Sequence, residues 1–101
     1  MDIVLRKSPL KTKKYRVDID SSRGKARHID FGAKGYEDYT IHHNEKRKQL
    51  YINRHHKREN WNDPYTAGFW SRWLLWNKPS IEDSMYDICK ILVPNSVHIV
   101  Y

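Results

Sequence analysis

The stretch "NRHHKRENWNDPYTAGFWSRWLLWN", residues 53–77, decides how this chain folds. Arg54, Lys57 and Arg58, with two adjacent histidines, run directly into a segment that carries all four tryptophans, Trp61, Trp70, Trp73 and Trp76. Pro64 forces the residue before it into extended backbone, so "NDPYTAG" separates a wet cationic half from an apolar half. From Thr66 to Trp76 the pattern is helical and apolar nearly all round: Phe69, Trp70, Trp73, Leu74 and Trp76 leave only Ser71 and Arg72 for water. A helix that is apolar on most sides belongs at the centre of a fold. Trp73 is expected among its enclosed residues, so that Trp73→Ala unfolds or severely destabilises the domain.

Upstream, a helix is expected from Asn44, a good cap, with Glu45 in its first turn and no Gly or Pro until Pro64. Leu50 and Tyr51 make a thin apolar stripe with Arg54, while Lys46, Arg47, Lys48, Arg54, Lys57 and Arg58 make the rest cationic. Downstream, "NKPS" ends the tryptophan helix, and Ser80 with Asp83 three residues on resembles a capping box. Ile81, Met85, Ile88 and Leu92 then form one continuous helical stripe, with Cys89 beside it.

Towards the amino terminus, Tyr15, Val17 and Ile19 alternate with charged residues, and Ile29 and Phe31 alternate with His28 and Asp30. With the turn signal Ser21 to Gly24 between them, the two runs predict a hairpin. Ile3-Val4-Leu5 is read as an additional edge strand, and the apolar tail from Val97 to Tyr101 as a further strand joining the sheet. Gly32 and Gly35 bracket a tight connection from strand to helix. The whole, residues 1–101, is read as a single small basic α+β domain. Its N-terminal β-hairpin, joined by a C-terminal strand, packs on three helices with the Trp-rich one central.

Composition narrows the function. A chain of 101 residues with 39% hydrophobic and 31% charged residues has a modest core and a very polar surface. The net charge of +7 is unevenly placed. Residues 1–60 hold sixteen of the 19 Lys and Arg against eight of the 12 acidic residues; residues 61–101 hold three against four. One half therefore meets something negative. The single cysteine, Cys89, excludes an internal disulfide and fits a reducing compartment. "MDIVLRKSPLK" is not a signal peptide, and no apolar run approaches the roughly 18 residues of a membrane span.

Catalysis finds no support in the spacing. His42-His43, Asn53 and His55-His56 superficially resemble a His-Asn-His nuclease, but Asn53 precedes His55 by only two residues and no acidic pair stands near to hold an ion. One cysteine cannot build a thiolate-rich zinc site. Cys89 lies in an apolar stripe, where a thiol is ordinarily inert. The Gly32 and Gly35 pair lacks the spacing and lysine of a nucleotide loop. The expectation is a protein that is not an enzyme, with no cofactor, no metal and no small-molecule substrate; its histidines lie on the basic surface and strengthen it when protonated. Trp61, outside the helix and beside the basic run, is the tryptophan placed to meet a partner.

Residues 29–84, "IDFGAKGYEDYTIHHNEKRKQLYINRHHKRENWNDPYTAGFWSRWLLWNKPSIEDS", resemble a family of small basic proteins encoded by nucleocytoplasmic large DNA viruses, including algal and amoebal giant viruses. The resemblance spans at least residues 14–90, and "NWNDPYTAGFWSRWLLWNKPS" is its most idiosyncratic string. That family carries no assigned activity, so no functional residue transfers. It implies a viral protein made in the cytoplasm of a eukaryotic host. Two functions follow as expectations. One is a virion structural protein, a minor capsid or cementing component, contacting other virion proteins. The other is a binder of viral nucleic acid that contacts DNA phosphates without strong sequence specificity. Both use one set of residues: Lys46, Arg47, Lys48, Arg54, Lys57, Arg58 and Trp61.

Overall fold

The computed structural model of the chain describes residues 2–20, 26–92 and 98–100. Three strands, β1 (Asp2–Lys7), β2 (Lys13–Asp20) and β3 (Ala26–Ala33), form an antiparallel meander, and β4 (His98–Val100) joins the open edge of β1 in parallel. The sheet order is β3-β2-β1-β4. The expected hairpin is thus β2–β3, and Ile3-Val4-Leu5 is a full strand. The C-terminal strand reaches the hairpin only through β1; the expected hairpin turn at Ser21 to Gly24 lies outside the described residues.

The period of two sorts the sheet into faces. Ile3 stands opposite Ile19, Leu5 opposite Val17, Val17 opposite Ile29 and Tyr15 opposite Phe31, and this face carries the core. The other face is charged and crosslinked: Arg16 bonds Asp30 through Nε (2.8 Å) and Nη2 (3.0 Å), Ser8 Oγ donates to the same carboxylate, and Arg6 pairs with Asp18. The Arg16 guanidinium holds the Asp30 carboxyl below its ordinary range.

The helical elements are α1 (Tyr39–His42), α2 (Glu45–His55), α3 (Ala67–Trp70), a π-helical turn Ser71–Leu75 that continues α3, and α4 (Ile81–Ile91), of which α3, the π turn and α4 supply the residues enclosed with the apolar face of the sheet. Each α-helix starts on a side-chain cap, as its sequence requires. Asp38 accepts from Thr40 N, Asn44 from Arg47 N, Thr66 from Phe69 N and Ser80 from Asp83 N. The α+β expectation holds, with one change: the tryptophan helix is four α-helical residues followed by a π turn, closed by the bond from Trp76 N to Ser71 O.

This segment is the centre of the fold. Phe69, Trp70, Leu74 and Leu75 are enclosed with the sheet residues, with Ile88 from α4 and with Leu92 that follows it. Trp70 is the tryptophan with 0% exposure, and its Nε1 donates to Pro64 O at 2.8 Å, so neither its ring nor its polar atom is left in want. Trp73, expected to be enclosed, is half-buried at the edge of the cluster and donates to Trp61 O at 2.8 Å. Two glycines allow the close approach. A Cβ on Gly32, whose φ is +79°, would meet Leu75 Cδ1 at 2.8 Å; one on Gly68 would meet the Glu59 side chain at 2.8 Å. Among the described residues no helix is long and apolar enough to cross a membrane.

Candidate functional site

The cationic helix α2 is the place to start, because its two sides do different work. Lys48, Tyr51, Ile52 and His55 recur at helical spacing and turn inward, whereas Lys46, Arg47, Leu50, Asn53 and Arg54 are exposed on the other side. Apart from Ile52 the inward row is polar and aromatic, which is why the sequence showed so thin a stripe. Leu50, expected on the packed face, is 51% exposed among the cations.

What the inward row packs on is aromatic. The Tyr51 ring lies parallel to Trp76, with centroids 4.5 Å apart and an interplanar angle of 2°, and His55 stacks on its other face at 4.4 Å. Enclosure raises the Tyr51 pKa, keeping the phenol neutral. His42 of α1 leans on Trp76 at 5.3 Å, accepts from Asn44 N through Nδ1, and is depressed in pKa by burial. These contacts explain the sequence's juxtaposition of charge and aromatics: Trp76 is the plate on which α2 docks.

Of the seven residues expected to meet a partner, the structure separates two groups. Lys48 is turned inward. Its Nζ donates to Asn77 O at 2.7 Å, lies over the Tyr39 ring at 4.8 Å and stands near Glu45, and burial lowers its pKa. It ties α2 to the loop before α4. Trp61 is half-buried, with Arg72 5.4 Å from its ring centre, and its carbonyl holds the Trp73 indole. Arg72, read as a residue left for water, is half-buried instead: its guanidinium lies 4.3 Å over Trp73 and donates to Trp76 O. Burial lowers its pKa.

Lys46, Arg47, Arg54, Lys57 and Arg58 form the second group, all exposed along α2 and the turn that follows it. Arg47 reaches Glu37 only at 4.0 Å, and Lys46, Arg54, Lys57 and Arg58 make no ion pair among the described residues. The acidic residues of this region are engaged elsewhere. Glu45 accepts from the Tyr39 hydroxyl and pairs with Lys48. Glu59 faces His55 at 3.2 Å and packs over Gly68. Asp38 is buried, capping α1 with one oxygen and holding Lys14 Nζ at 2.6 Å with the other.

Beside the cationic side opens a cleft of about 630 Å³ between the end of β3, α2 and the π turn. Its floor is Phe31, Tyr51, Leu75 and Trp76; Lys13, Arg47 and Arg54 stand on its walls, with Tyr36 and Leu50 also lining it. Sequence reasoning found the cations of α2 but missed the cleft, because Lys13, Tyr36 and Arg54 come together only when Gly32 lets the sheet close on Leu75. The histidines are not one basic surface: His42 and His55 are packed against rings, while His43 and His56 are exposed. Cys89 is half-buried on α4 with a free thiol, and among the described residues no group of three or more His, Cys, Asp or Glu side chains is gathered to hold a metal ion.

Residues 3–55 match a protein family described as a family of unknown function, DUF5754. The match runs from β1 to the last residue of α2, taking in one wall of the cleft and the Lys46 to Arg54 cations, and ends before the tryptophans. Comparison with curated proteins and with solved structures gives no match.

Proposed function

The chain belongs to this family of unknown function (DUF5754), and for it we propose a nucleic-acid-binding role in which the exposed side of α2 neutralises phosphates without reading sequence. The observation that carries the reading is the row Lys46, Arg54, Lys57 and Arg58, exposed and free of carboxylate partners among the described residues. Elsewhere in the chain cations such as Lys14 and Arg16 are met by buried or half-buried aspartates. Four cations without carboxylate partners on one helix and its exit turn suit the continuous negative charge of a phosphate backbone.

The competing expectation is a virion structural component that contacts other virion proteins through the same face. Glu45 is held by the Tyr39 hydroxyl and Glu59 is half-buried beside His55, which leaves the exposed side of α2 to its cations and favours phosphate over protein as what the face meets. Viral origin and a virion or host-cytoplasmic location belong to the same proposal, resting on the sequence resemblance alone. The test is salt. Binding of a labelled 20-base-pair duplex of arbitrary sequence is expected to weaken linearly in log K against log salt, with a slope reflecting several neutralised phosphates. Absence of binding at low ionic strength would end the reading.

A further inference from the structure

We infer that the cleft between β3, α2 and the π turn receives an unpaired base, so that the preferred ligand is single-stranded nucleic acid. The inference deepens the phosphate-binding reading and rests on it. Two observations point the same way. The first is interleaving: two exposed apolar side chains, Tyr36 at 74% and Leu50 at 51% exposure, line the cleft among Lys13, Arg47 and Arg54. Single-strand binders combine such cations, which follow the backbone, with rings on which bases stack. A duplex offers no base face to these side chains.

The second observation is fit. The cleft's volume of about 630 Å³ lies within the range of small-ligand sites, and its floor is aromatic and aliphatic, the surroundings a planar ring requires. The backbone of Tyr36 is placed at the cleft by the turn after β3, where Tyr36 N bonds Ala33 O and Gly35 takes a φ of +91° that other residues rarely adopt.

The experiment compares fluorescence anisotropy of a labelled 15-nucleotide mixed-sequence single strand and a duplex of the same length, with wild type, Tyr36→Ala and Lys57→Ala. The single strand is expected to bind tighter. Tyr36→Ala should weaken the single strand roughly tenfold and the duplex hardly at all, with an unchanged melting temperature because the side chain is exposed. Lys57→Ala should weaken both alike. Equal binding of the two ligands, with Tyr36→Ala without effect on either, overturns the inference while leaving phosphate binding in place. A nucleoside monophosphate that binds as tightly as the strand also overturns it, since the backbone contacts would then contribute nothing. Failure of both oligonucleotides to bind at low salt removes the phosphate-binding reading itself.

Discussion

Trp70 and Trp73 sit three residues apart on one short helical segment, yet their surroundings differ. Trp70 has no exposure and a bonded indole nitrogen, whereas Trp73 lies half-open beneath Arg72. Trp70→Ala is expected to cost about 3–5 kcal/mol, as for a large enclosed ring, and Trp73→Ala distinctly less. Urea denaturation of both variants measures the difference, and a Trp73→Ala loss equal to that of Trp70→Ala would contradict the packing described. His42 carries a second expectation at this scale. Burial against Trp76 disfavours its charged form, opposed by Glu37 and Asp38 and reinforced by Arg47 and His43. Its folded pKa therefore lies below the ordinary 6.5, and as pH falls through that value the unfolded chain takes up the proton first. Stability is lost on acidification from about pH 6.5 downward. Melting temperatures at pH 7.5 and 5.5 are expected to fall less for His42→Gln than for the wild type.

Among the elements, the joint between sheet and π turn is the one most sharply constrained. Gly32→Ala places a Cβ in left-handed backbone and 2.8 Å from Leu75 Cδ1, so both strain and overlap oppose it. Gly35→Ala meets the same backbone restriction at φ +91° but nothing within 4 Å. The expected losses are about 1 kcal/mol at Gly35, from conformation alone, and at least about twice that at Gly32. Equal losses would show that the sheet does not close on Leu75.

The same elements show how far the sequence could be read. Caps at Asn44 and Ser80 and the alternation in β2 and β3 were legible because each signal is local. Helix α2 was legible as a helix but not in its orientation. Its inward row of Lys48, Tyr51 and His55 is stabilised by Trp76, Tyr39 and Asn77, partners distant in sequence that no periodicity reveals. The π turn and the cleft were illegible for the same reason. Short helix α1 also escaped notice, since four residues carry too little period to detect.

For the whole molecule, the charge asymmetry between residues 1–60 and 61–101 becomes spatial. The second half supplies the aromatic plates and its share of the core, and the basic first half supplies most of the sheet, whose apolar face completes that core, and the helix that rests on Trp76. Cations that would strain the interior are met there by Asp30, Asp38 or an aromatic face, and four that no carboxylate meets lie along the outside of α2 and its exit turn. The account stands on that unmet row being adhesive rather than merely solvating. The most direct measurement is duplex binding across a salt series by the variant carrying Lys46→Ala, Arg54→Ala, Lys57→Ala and Arg58→Ala together. The account predicts an unchanged fold by circular dichroism, with affinity sharply reduced and a log–log salt slope shallower by about 3 to 4, one for nearly every charge removed. A folded variant that binds as tightly as the wild type, with the same slope, would contradict it.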